Sequence, residues 1–148
     1  MATFGDPADA VVAALTALLG EPTEDTGWVD PFQIGTCAGN ELRRVSWDSL
    51  AVLFGDNGTP GSRQFFSYSY GDVTDLAAEP VGLFTPAGIG IGASVTDLRT
   101  AYPEVQIAAG EDGLFESSFY VDDTLAGLLT GPADTDLVTV VFGGPFCG

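Results

Sequence analysis

The stretch GIGIGASVTDLR, Gly88 to Arg99, sets three alternating glycines before a capped helical pattern, and its reading decides the fold. A phosphate-cradling loop here would make the chain a parallel nucleotide-binding protein. The dinucleotide fingerprint needs G-x-G-x-x-G straight after a buried strand, with an acid about 20 residues on. Here the spacing is G-x-G-x-G, and Pro86 interrupts the preceding run. A P-loop needs a lysine, and the chain contains none. The glycines therefore read as the approach to a helix capped by Ser94, with Asp97 three positions later, and ended by Pro103.

Beyond that helix, PEVQIAAG, LFESSFYVDD, TLAGLLTG and DLVTVVFGG carry strand patterns. The first half has the same plan. Asp6, as cap, and Pro7 start a helix that Gly20 and Pro22 stop, with Val11, Val12, Leu15, Leu18 and Leu19 as its buried stripe. A short strand is expected around Trp28. Arg43–Trp47 and Leu50–Phe54 follow, either as two strands or as one bent near Asp48. RQFFSYSYG then places Phe66, Tyr68 and Tyr70 on one face and Phe65, Ser67 and Ser69 on the other.

AVLFG (Ala51–Gly55) with RQFFSYSYG (Arg63–Gly71) parallels AGLLT (Ala126–Thr130) with TDLVTVVFG (Thr135–Gly143). The expectation is one compact α+β domain of two tandem helix-plus-antiparallel-hairpin units, residues 4–71 and 88–148. They would form one antiparallel sheet with helices packed on one face. Residues 72–87 would connect them, with Val81–Thr85 as an extra strand.

The charge narrows the function. Twenty-one acids face four arginines, for a formal net charge of -17, and there is no histidine. A nucleic-acid backbone needs neutralising cations, so no nucleic-acid partner is expected. Membrane insertion is not expected either, because the longest apolar run, Ala10–Gly20, is shorter than the roughly 20 residues of a spanning helix. Ser-His and Cys-His nucleophiles are excluded.

Carboxylate chemistry remains open. Asp48, Glu116, Asp122 and Asp123 lie in or beside apolar strands and are the catalytic candidates. Asp134 and Asp136 are weak calcium candidates, but turn chemistry explains such residues equally well, and no cofactor is expected. Cys37 and Cys147 are either bridged or two free thiols. The terminal position of Cys147 favours a disulfide, and with it a secreted or cell-envelope location. Met1 and Ala2 are read as the start of a chain from which an export segment has been removed.

Tandem helix-and-hairpin units in a small acidic chain, with IGASVTDLRTAYPEV leading the second, resemble the β-lactamase inhibitor protein family and related secreted actinobacterial domains. That resemblance implies an aromatic sheet face that grips a protein, with an acidic hairpin tip reaching into an enzyme cleft. On this chain the tip would be Asp56 and Asn57, and the face would draw on Trp47, Phe66, Tyr68 and Tyr70. The family bridges cysteines within each repeat, whereas here one cysteine lies in each half. The expected function is a non-enzymatic domain that binds a protein or surface ligand through an aromatic sheet face or hairpin loops. The alternative is a small glycosidase-like hydrolase using paired carboxylates.

Overall fold

In the computed structural model, which describes residues 2–35, 39–56 and 61–145, the apolar runs pair as an eight-stranded antiparallel sheet accompanied by two α-helices. In chain order the elements are α1 (Ala8–Leu19), β1 (Glu24–Asp25), β2 (Leu42–Trp47), β3 (Leu50–Gly55), β4 (Gln64–Gly71), α2 (Val95–Ala101), β5 (Gln106–Ala108), β6 (Ser117–Asp122), β7 (Leu125–Leu129) and β8 (Val138–Gly143). A 3-10 turn spans Pro31–Gln33. The sheet order is β1-β2-β3-β4-β8-β7-β6-β5, so the expected α+β class and antiparallel sheet are present. The chain divides into two compact units, Met1–Tyr68 with Gly144–Gly148, and Ser69–Gly143. Residues 72–87 thus fall inside the second.

In the first unit, β2 and β3 form a tight hairpin rather than one bent strand. Trp47 faces Leu50, and Asp48 turns the chain at φ 50°, a conformation that Asp tolerates better than most side chains. α1 is tied to β2 at both ends: Asp9 pairs with Arg43 at 3.3 Å, and the Gly20 carbonyl accepts from Trp47 Nε1 at 2.9 Å. Asp6 does not cap the helix with its side chain. Its carboxylate accepts instead from Thr3 N across a turn at Gly5 (φ 97°), and the segment is bonded to β4, with Gly5 N donating to Phe65 O and Phe65 N to Asp6 O.

The expected helix stripe also changes. Ala8 and Val11 are buried, Val12, Leu15 and Leu19 are half-buried, and Leu18 is 80% exposed. A sequence as uniformly apolar as ADAVVAALTALL has too little contrast around its circumference to choose a face. The strand expected at Trp28 forms four residues earlier, where Glu24 faces Ser46 and Asp25 faces Val45. Near Trp28 only a single bridge, Val29 to Leu42, remains.

In the second unit, the capping box is complete. Asp97 N donates to Ser94 Oγ at 3.1 Å, and Ser94 N to the Asp97 carboxylate at 3.3 Å. The three glycines each have a structural duty. Gly88 closes a loop on the Thr85 carbonyl at φ 87°, Gly90 leaves room for the Phe84 ring, and Gly92 turns the chain at φ 88° before donating to Val138 O. No strand forms at Val81–Thr85. Pro80 and Pro86 remove ladder donors on either side, and Gly82 sits at φ 80°.

The hydrogen bonds that lead into α2 match those that lead into α1. Gly92 N donates to Val138 O, Val138 N to Ala93 O and Val95 N to Asp136 O, where the first unit has Gly5 N to Phe65 O, Phe65 N to Asp6 O and Ala8 N to Arg63 O. The bridges Ser94 to Leu137 and Pro7 to Gln64 fall in the same register. Among the described residues no helix is long and apolar enough to cross a membrane.

Candidate functional site

Register decides where the expected aromatic residues go. Arg43 faces Phe54 and Trp47 faces Leu50, so Arg43, Val45 and Trp47 share a face with Phe54. The Phe65 ring joins them, 6.1 Å from Phe54 and 4.9 Å from Phe4. Phe66 lies on the other face, where the space above Gly55 is filled by the Phe66 and Leu42 side chains. Trp47 and Phe66 therefore do not belong to one platform. Trp47 is buried, Phe66 and Tyr68 are half-buried, and Tyr70 is buried with its hydroxyl donating to the Pro80 carbonyl at 2.7 Å.

Asp56 is not presented as an exposed tip. It is 1% exposed and accepts from Asn40 N at 3.0 Å and Asn40 Nδ2 at 3.1 Å, so its carboxylate holds the segment before β2. Asn57, Cys37 and Cys147 lie outside the described residues.

Three of the catalytic candidates, Asp48, Asp122 and Asp123, sit at hairpin turns. Asp48 is exposed at the β2–β3 turn, and its backbone N donates to Thr23 Oγ1. Asp122 and Asp123 serve the β6–β7 turn. Asp122 Oδ1 accepts from Thr124 Oγ1 at 2.6 Å and from Thr124 N at 2.8 Å, which holds its carboxyl below the ordinary range. Asp123 accepts from the Tyr120 hydroxyl at 2.9 Å, which raises that hydroxyl above its usual value.

The downward shift recurs at Asp25 and Asp72. Asp25 is held down chiefly by the Arg43 guanidinium, and Asp72 by Thr74 N and Oγ1. A general acid needs the opposite shift. Asp136 is used within its own loop, accepting from Thr130 Oγ1 and Ala133 N, while exposed Asp134 faces Arg99 at 3.7 Å. Among the described residues no group of three acidic or cysteine side chains is placed to hold a metal.

The second unit gathers residues that are not among the expected contact residues. Pairing of Gln106 with Tyr120, Ala108 with Ser118, Tyr120 with Ala126, Ser118 with Leu128, Ala126 with Phe142 and Leu128 with Val140 puts these side chains on one face. All are exposed or half-buried, with Tyr120 at 44%. The opposite face carries Phe119, Leu129 and Val141, all buried. Among the described residues the paired strand positions of this face carry no charged side chain, in a unit with twelve acids and one arginine, and the Asp123 carboxylate meets the face only at the Tyr120 hydroxyl.

The signal for this face was legible in principle. LAGLL and VTVVF are apolar at successive positions, so each strand offers both faces something to cover. At one end of these strands, residues 109–117 and 130–132 line a cleft of about 610 Å³ that contains Glu111, Asp112 and Glu116. Comparison of the chain with family models, curated proteins and solved structures yields no significant match.

Proposed function

We propose that this chain is a non-enzymatic binding domain, working outside the cell or in its envelope, that engages a protein through the uncharged sheet face of its second unit. The observation that carries the reading is the contrast between that face and the rest of the molecule. Tyr120, Leu128 and Val140 form an accessible strip whose strand positions carry no charge in a chain of formal charge -17, with the Asp123 carboxylate at its edge on the Tyr120 hydroxyl. Apolar area kept accessible among polar surroundings is the common signature of a docking surface, and a tyrosine with one wet edge is a typical anchor.

The matched hydrogen bonds before α1 and α2 support a plan of two tandem helix-plus-hairpin units with helices on one side. This is the arrangement implied by the resemblance to the β-lactamase inhibitor proteins. On this reading the contact residues move from Trp47, Tyr70 and Asp56 to the second unit.

The test is affinity capture from the secreted fraction of the source organism with three baits: wild type, Leu128→Glu with Val140→Glu, and the surface control Asp75→Asn. A protein retained by wild type and the control, but lost by the face variant with an unchanged circular dichroism spectrum, bears the proposal out. Equal retention by all three overturns it.

A further inference from the structure

Resting on the reading of the second unit as the binding unit, we propose that the β5–β6 loop and its cleft form the docking point for a cationic segment of a partner protein, one in which arginine or lysine flanks a bulky apolar side chain. The loop is a built structure. Glu111 N donates to Phe115 O, Leu114 N and Phe115 N both donate to Glu111 O, and Gly110 N donates to the buried Ser117 Oγ at 2.8 Å. Gly110 is packed against Phe115 O, Glu116 C and Ser117 N so closely that no Cβ fits there, and Gly113 turns the chain at φ 78°.

This self-bonded loop nonetheless holds its two bulky apolar side chains outward, Leu114 at 72% and Phe115 at 60% exposed. Orienting such a pair on fixed backbone costs hydration with no return inside the unit, and a preorganised apolar anchor loses little entropy on binding. Beside it lies the cleft of about 610 Å³, whose far wall is Thr130, Gly131 and Pro132.

Charge selects the occupant. Glu111, Asp112 and Glu116 are exposed around the anchor, and none of them takes part in the ion pairs found among the described residues, which join Arg43 to Asp9 and Asp25, Arg63 to Glu41, and Arg99 to Asp134. A second copy of this chain, or any acidic partner, would bring like charge to that rim. A basic segment would be steered to it and neutralise it.

The experiment titrates the isotopically labelled full chain with acetyl-Arg-Leu-Arg-Phe-Arg-amide, and with the same peptide carrying glutamate for arginine, following backbone amide shifts. Expected is saturable binding of the arginine peptide only, with the largest shifts at residues 110–117 and 130–131. Leu114→Ala with Phe115→Ala should weaken it at least about tenfold. Glu111→Gln, Asp112→Asn and Glu116→Gln together should flatten its dependence on NaCl between about 20 and about 500 mM.

Shifts spread evenly over the exposed acids, full affinity in the Leu114 and Phe115 variant, or no binding overturn the inference. Shifts confined to Tyr120, Leu128 and Val140 also overturn it, while leaving the sheet-face reading standing. Loss of binding in the loop variants with retention in Leu128→Glu bears the inference out, whereas equal partner capture by wild type and the Leu128→Glu, Val140→Glu bait fails the sheet-face reading alone.

Discussion

Aspartate is the residue that the chain uses most consistently, and mainly as a turn former. Asp25, Asp30, Asp72, Asp75 and Asp122 each accept a hydrogen bond from the backbone N–H two residues on. Much of the acidic composition is thus explained by chain path before any partner is considered. Asp25 does more, because it also grips Arg43 with two bonds, at 3.0 and 2.7 Å. Its depressed pKa means that its stabilising share is present above the unfolded value near 3.9 and is lost as pH falls through the folded value. Asp25→Asn should therefore cost about 1 kcal/mol in urea unfolding at neutral pH. The gap to wild type should close in strongly acidic buffer; a gap that widened there would contradict the assignment. Ser46 offers the reverse case, since its buried hydroxyl has no hydrogen-bond partner among the described residues. Ser46→Ala is expected to leave stability unchanged or raise it by up to about 1 kcal/mol, read from the same unfolding curves.

Helix starts and tight pairings are where elements are decided. α2 is only seven residues long and depends on its cap, so Ser94→Ala should cost about 1 kcal/mol by thermal or chemical unfolding, and Ser94→Asp should restore most of it. In β7, a Cβ on Gly127 would run into the Val140 carbonyl and the Phe119 ring, and a backbone carbonyl cannot step aside. Gly127→Ala should destabilise by about 1 to 3 kcal/mol through overpacking, although its φ is ordinary for any residue. A neutral result would mean that β7 and β8 sit further apart than the register requires. The capping box was legible because Ser94 and Asp97 are local in sequence. The α1 stripe was not, because ADAVVAALTALL looks alike from every side and only its ties to Arg43 and Trp47 orient it.

For the molecule as a whole, 21 acids against four arginines mean that folding gathers like charge. Screening should relieve this more than it weakens the few ion pairs, so the thermal midpoint should rise between about 10 mM and about 500 mM NaCl, a trend that calorimetry can read; a fall would mean that the arginine pairs dominate. The sequence alone determined the long strands, the α+β class, the capped second helix and the exclusion of histidine-based chemistry, because each rests on periodicity, on a short-range cap or on residues that are missing altogether; the strands expected at Trp28 and Val81–Thr85 were not among what it determined. Tertiary structure alone decided which side of each strand is covered. Pairing register sends Trp47 and Phe66 to opposite faces and turns Asp56 inward to Asn40. It also leaves Tyr120, Leu128 and Val140 together on an accessible face. A strand that is apolar on both sides carries no mark of which side will be buried. That choice is made only when its neighbours arrive.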